Sequence, residues 1–251
     1  VITAVRALAA LAFLATACDR EIVVGADPDA ASAAGVRPLV VPWSTGFENG
    51  LGDWDVPCYA AGGGTYQIVT SPVHSGQHAA AFTVNTAVSG QPEARCVKRG
   101  VLPQSAYYGA WYYVPALATN RGNWNLFHFR GGNTGDVNSH GLWDVSLVND
   151  ADGGLDNSVF QFLTAPQRVI ATKPTIRINE WFHLEVLLRR ANGATGQFTL
   201  YRDGQVVLEL TGIATDDSQW GEWHVGNLAT ALSPAVSTVY VDDVTIDTSG
   251  P

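Results

Sequence analysis

The chain has 251 residues with 14 Lys plus Arg against 23 Asp plus Glu, a formal net charge of −9. That acid excess disfavours nucleic acid as a partner, and no recognised nucleic-acid motif occurs. The three cysteines, none in CxxC spacing, argue against a zinc or redox centre.

The opening run VITAVRALAALAFLATACDR places Arg6 ahead of an apolar, alanine-rich stretch ending near Ala15. A membrane span needs about 20 apolar residues, so this shorter run predicts a signal-peptide core. The tetrad Ala15-Thr16-Ala17-Cys18 resembles a bacterial lipobox, with alanine where leucine is usual at the first position. The resemblance implies a lipoprotein signal over residues 1–18, lipidation at Cys18, and an exported protein held to a membrane or cell surface by the lipid anchor alone. Plain secretory cleavage nearby is the alternative. Residues 19–42 have no sustained period and are rich in Ala, Asp and Pro, which predicts a flexible tether ahead of one domain over 43–251. With Cys18 set aside, Cys58 and Cys96 remain, and an even remainder in an exported chain predicts a disulfide worth about 2–4 kcal/mol.

Beyond the tether, strand signals recur and helix signals do not. HAAAFTVNT, YYGAWYYVP, WNLFHFRG, GLWDVSLVN, SVFQFLT, WFHLEVLLRR, GQFTLYRDGQVVLEL, EWHVGNL and STVYVDDVTID are short, aromatic and β-branched, and divided by Gly, Asn, Asp or Pro. Asp203-Gly204 predicts a tight hairpin turn. No stretch holds a 3.6-residue apolar period over a dozen positions, so the fold class is all-β, a jelly-roll sandwich of two antiparallel sheets.

Alternation then assigns faces. In WNLFHFR the core takes Phe127 and Phe129, leaving His128 and Arg130 outward. In GLWDVSLVN it takes Trp143, Val145 and Leu147, leaving Asp144 and Ser146 outward. In WFHLEVLL it takes Phe182, Leu184 and Val186, leaving His183 and Glu185. Of the eight tryptophans, Trp143 and Trp181 fit core positions, while Trp124, Trp220 and Trp223 are the freer candidates for sugar stacking. His183 reads as a satisfied strand-edge group, and His224 as either groove-lining or structural. Within this acidic chain, Gln91 to Arg130 holds Arg95, Lys98, Arg99, Arg121 and Arg130 against Glu93 alone, a local +4 and a candidate anion site.

The segments GFENG, SPVHSGQHAAAF, ARCVKRG, YYGAWYYVP, NWNLFHFRG, EWFHLEVLLRR, LYRDGQ and TVYVDDVTI together resemble the concanavalin A-like jelly-roll polysaccharide lyases grouped with heparin lyase I and glucuronan lyase. In those lyases an R-x-E strand and a Q-x-H strand line the groove. Here ARCVKR carries no glutamate at the matching place, and FHFR offers His128 where glutamine is usual. The resemblance implies β-elimination on a uronic-acid polysaccharide. It also implies a structural calcium shared by the first and last strands, with Glu48 and Asp243 as ligands and turn-capping by these acids as the alternative.

Elimination beside a uronate carboxylate needs a cation, a base and a proton donor. His128 suits the base, Arg130 and Arg95 with Lys98 or Arg99 suit the carboxylate, and Tyr108 or Tyr112 suits the acid. Tyr112 joins His128, Arg130 and Arg95 as the catalytic set; Lys98, Arg99, Trp124, Asp144 and His224 are the substrate-binding set. A lectin-like binding module without chemistry is the competing reading. A laminarinase-type hydrolase is disfavoured, because no E-x-D-x-x-E strand is present.

Overall fold

The computed structural model describes residues 37–133, 139–163 and 167–250. The signal segment with Cys18, and the tether up to residue 36, lie outside the described residues. The strands are β1 (Trp43–Thr45), β2 (Val56–Ala61), β3 (Thr65–Val69), β4 (Ala79–Asn85), β5 (Glu93–Gly100), β6 (Ser105–Tyr113), β7 (Thr119–Asn120), β8 (Trp124–Gly132) and β9 (His140–Asn149). They continue as β10 (Leu155–Gln161), β11 (Gln167–Ile176), β12 (Trp181–Arg189), β13 (Gly196–Arg202), β14 (Gln205–Ile213), β15 (Trp220–Ala229), β16 (Leu232–Ser233) and β17 (Val236–Asp247).

Two antiparallel sheets face each other, as a jelly roll requires. The front sheet runs β11-β10-β9-β8-β15-β5-β2, and the back sheet runs β14-β13-β12-β6-β17-β4-β3, with β1 added on β17. The first and last strands of the domain thus pair, Trp43 opposite Ile246. Before them, residues 37–39 lie along the end of β5, with Leu39 donating its N–H to the Val101 carbonyl at 3.1 Å. Asp203 (φ 52°) and Gly204 (φ 74°) turn the chain between β13 and β14, the two positive φ angles of a two-residue hairpin.

Between the sheets lies an aromatic layer. Phe127 and Phe129 from β8, Trp143 from β9 and Trp223 from β15 are all fully buried. Trp143 stacks on Phe198 of β13 with centroids 4.4 Å apart, and Tyr108 of β6 meets Phe129 edge-on at 5.1 Å. These contacts fix which way every second side chain of the front sheet points. The core positions expected for β8, β9 and β12 by alternation all lie inward.

Six aromatic expectations are corrected. Tyr108 and Tyr112 both point into the core; the Tyr112 hydroxyl donates to the Leu126 carbonyl at 3.0 Å and accepts from Gly226 N–H at 3.3 Å. On β6 the inward set is Ala106, Tyr108, Ala110 and Tyr112, so the outward tyrosines are Tyr107 and Tyr113. Trp124, Trp220 and Trp223 are buried, not free. For Trp124 the cause is a break in register between Asn125 and Phe127, after which β8 alternates in the opposite phase. Trp181, placed in the core by sequence, is only half-buried, because Phe182 takes the inward position beside it.

The two sheets are also tied by a polar contact. Fully buried Asn227 of β15 accepts from Trp124 Nε1 at 3.1 Å and donates to the carbonyls of Phe82 (3.1 Å) and Ser237 (3.2 Å) on the back sheet. Replacing it by leucine leaves one buried N–H and two buried carbonyls with a partner lost. Asn227→Leu should therefore lower unfolding free energy by about 3 kcal/mol or more, read from the urea midpoint, whereas little change would mean that water replaces the amide.

Candidate active site

The outer face of the front sheet gathers most of the polar residues singled out by sequence. Register runs straight across it: Val97 of β5 lies opposite His224 of β15, His224 opposite His128 of β8, and His128 opposite Asp144 of β9. One row towards one end stand Arg99, Glu222 and Arg130. One row towards the other stand Tyr59, Arg95 and Gly226, followed across the register break by Asn125, Ser146 and Ser158. Although this is an outward face, Arg95, Ser146, Ser158, Glu222 and His224 are each 3% exposed or less, so the groups around them shield them from solvent. Lys98 is not among them. It has the opposite parity, packs over the Trp43 ring at 4.5 Å and pairs with Asp55 at 2.9 Å beyond the edge of the core.

His128 is the most accessible member of the central row, its side chain 17% exposed. Its Nδ1 is in short contact with Asp144 Oδ1, while Nε2 has no hydrogen-bond partner among the described residues. Phe162 meets the imidazole edge-on at 6.3 Å, and Phe160 packs on Phe162 at 4.7 Å, which puts two half-buried rings beside it. Sequence reasoning passed over both, since SVFQFLT offered only an alternating strand.

Behind His128 the His224 ring stands 5.4 Å away, completely buried. Its Nε2 lies 3.1 Å from Glu222 Oε2 and its Nδ1 3.5 Å from the Tyr59 hydroxyl. Burial pushes the His224 pKa down to about 3, against the opposing pull of Glu222. It is therefore neutral, donating from Nε2 to Glu222. Burial opposes ionisation of Glu222, but the His224 hydrogen bond and the Arg99 and Arg130 guanidinium groups outweigh it and hold the carboxyl below its usual range. Arg99 makes a short ion pair with Glu222, and Arg130 Nη2 donates to the Ser139 carbonyl at 2.8 Å.

Arg95 is held on two sides. Its Nη2 donates to Asn125 Oδ1 at 2.8 Å, and its Nε lies 3.6 Å from Glu93 Oε2. The carboxylate that accompanies this arginine thus comes two residues before it, in Glu93-Ala94-Arg95. Tyr59, from the edge strand β2, adds a phenol that donates to Glu93 Oε2 at 3.2 Å. Burial raises the pKa of that phenol far above its ordinary value, so it stays protonated. Tyr59 was missed because VPCYAAGGG carries no alternating pattern around it. Its one signal was adjacency to Cys58, which is disulfide-bonded to Cys96 across β2 and β5 with Cα atoms 4.0 Å apart.

Glu48 and Asp243 lie elsewhere, at the junction of β1 and β17 with the turn before β4. Glu48 Oε1 accepts from the N–H groups of Gln77 (2.8 Å) and His78 (3.0 Å), and its Oε2 faces His78 Nδ1 at 3.1 Å. Asp243 Oδ2 faces His74 Nδ1 at 2.6 Å, and its Oδ1 accepts from Ser75 Oγ at 2.9 Å. Both carboxylates are occupied by donors, and among the described residues no group of three or more His, Cys, Asp and Glu is arranged to hold a metal ion.

No protein-family model matches the chain, and no curated relative matches it. Solved structures do. The endo-β-1,4-glucuronan lyase of the fungus Trichoderma reesei superposes with a TM-score of 0.62 at 19% identity, over 82% of this chain and 95% of that one. The PL-14 alginate lyase of Aplysia kurodai gives 0.58 at 13% identity, over 82% and 98%. A cellulose induced protein, Cip1, gives 0.53 at 17%, over 81% and 96%. At these identities the likeness is one of architecture: the chain has the jelly-roll fold found in polysaccharide lyases.

Proposed function

We propose that this protein is a polysaccharide lyase that cleaves a uronic-acid polymer by β-elimination on the outer face of the front sheet. The observation that carries the reading is His128, held at Nδ1 by Asp144 and open at Nε2, with Arg95 and the phenol of Tyr59 on the same face. With Asp144 accepting the Nδ1 proton, the lone pair lies on Nε2 and makes His128 the base that removes the proton beside the uronate carboxyl group. Arg95, steadied by Asn125 and Glu93, meets that carboxylate as negative charge builds on it. Tyr59 gives its proton to the departing glycosidic oxygen as the carbon–oxygen bond breaks and the carbon–carbon double bond forms. Proton exchange with water then resets both groups. The jelly-roll likeness to glucuronan and alginate lyases supports the assignment. Export with a lipid on Cys18 belongs to the same proposal, supported by the signal-like run before it and by the Cys58–Cys96 disulfide.

Glucuronan, alginate and heparin, each incubated with the protein, should be separated by the appearance of unsaturated-uronate absorbance with at least one of them. Retention on a glycan gel without any such absorbance would leave the lectin-like module as the function. His128→Ala and Tyr59→Phe should each lower kcat by roughly 10²–10⁴-fold with the fold intact. Tyr112→Phe should keep kcat and instead cost about 1–2 kcal/mol of stability. Loss of turnover in Tyr112→Phe at unchanged stability would contradict the assignment of the acid.

The buried part of the site also sets a pH dependence. His224 binds a proton near pH ~6.5 when unfolded and only near about 3 when folded. The unfolded state therefore gains protons first as pH falls, and stability that is complete above ~6.5 is lost progressively down to about 3. Glu222, with its folded pKa lowered, adds a loss of the same sign below the ordinary carboxylate range. Urea midpoints should fall across this window, and His224→Gln should flatten the slope; a flat profile in the unaltered protein would mean that His224 is protonated when folded.

A calcium ion at Glu48 and Asp243 stands as part of the proposal, supported by the pairing of β1 with β17 that brings the two acids to one turn. Such an ion has to take the places now filled by His74 and His78. Added calcium should then raise Tm by several degrees and a chelator reverse it; an unchanged Tm would leave the histidines as the permanent partners.

A further inference from the structure

A second set of aromatic rings lies on the outer face of the back sheet. Trp181 of β12 is directly opposite Tyr113 of β6, and Tyr113 is directly opposite Tyr240 of β17, so the three form a row across adjacent strands. All three are half-buried and face away from the core that Phe182 and Tyr112 enter. Their centroids are 5.5 Å and 5.8 Å apart, close to the strand spacing of about 4.8 Å. Tyr113 is inclined by 55° to Trp181 and by 78° to Tyr240, and its hydroxyl donates to Asn179 Oδ1 at 3.3 Å. The row is thus a fixed series of facets and not a flat plane.

Each end of the row opens into a hollow. One, of about 210 Å3, lies beside Trp181 and is lined by Arg177, Glu180, Arg202 and Asp203; the other, of about 220 Å3, lies beside Tyr240 and is lined by Leu117, Pro234 and Thr238. The track of hollow, three rings and hollow has the form of a path for a linear ligand. Aromatic faces bind the apolar faces of sugar rings, and phenols and indoles add a polar edge. The charge around the row selects the kind of sugar. On the same face the next rows carry His183, Glu185, Asp242 and Asp247, and the hollow beside Trp181 sets Arg177 and Arg202 against Glu180 and Asp203, so the row offers a polyuronate no excess of cations, unlike Arg95 on the front sheet. Inclined facets also fit a twisted single chain better than the planar surface of a crystalline polymer.

We propose that the row Trp181–Tyr113–Tyr240 is a second glycan-binding surface, which takes a soluble single chain of an uncharged polysaccharide while the front sheet handles the uronate polymer. Affinity electrophoresis of the full chain should show retardation by at least one of hydroxyethyl cellulose, mixed-linkage β-glucan and galactomannan. Trp181→Ala and Tyr240→Ala should each weaken it about tenfold, with Trp181→Tyr largely restoring it. His128→Ala should bind these polymers like the unaltered protein, and Trp181→Ala should keep whatever activity the front sheet shows on uronate polymers, so this proposal and the lyase reading fail separately. Near-ultraviolet circular dichroism checks that each variant is folded, and Tyr240→Ala tests the row if Trp181→Ala does not fold. The proposal is overturned if no uncharged polymer retards the protein, if crystalline cellulose binds and soluble chains do not, or if the protein forms a dimer that Trp181→Ala dissociates, which would assign the row to self-association.

Discussion

The packing of Phe127, Phe129, Trp143 and Trp223 against the back sheet is the constraint on which the rest of the molecule depends. These rings pack between the sheets, and each one that goes inward sends its chain neighbours to the other face. His128 faces outward because Phe127 and Phe129 do not, Asp144 because Trp143 and Val145 do not, and His224 because Trp223 and Val225 do not. Antiparallel register then sets His224, His128 and Asp144 side by side. The chemistry of that face is a by-product of where hydrocarbon was buried.

Having been brought together, the polar groups largely satisfy one another. Arg99 answers Glu222, Glu222 answers His224, Asn125 and Glu93 answer Arg95, and Asp144 answers His128. Removing one member of such a buried set would strand a charge, which is far costlier than never having buried it. His128 Nε2 has no hydrogen-bond partner among the described residues, and it sits at the accessible edge of the set.

Alternation was enough to read β8, β9 and β12, where apolar and polar residues take turns. It failed on β6, where SAYYGAWYY places aromatic residues at both parities, so that Tyr108 and Tyr112 look no different from Tyr107 and Tyr113 until the neighbouring strands are known. It failed at Trp124 because a register break resets the phase, a feature with no residue signature here. For Lys98 and Arg99 the local charge was visible but the phase was not: one residue's difference sends them to opposite faces. Tyr59 escaped because its strand is short and irregular, with a register shift between Val56 and Tyr59, and its relation to Arg95 is created by pairing across the sheet.

The Cys58–Cys96 bond has a bearing on how the molecule matures. It fastens β2, the outermost strand of the front sheet, to β5, and the residues flanking its two ends, Tyr59 and Arg95, both look onto the polar face. An outermost strand has neighbours on one flank only, so a covalent staple matters more there than in mid-sheet. Without that bond, the margin where Tyr59 resides would be held to β5 by strand pairing and packing alone, so the redox state of the surroundings bears on how firmly Tyr59 is placed.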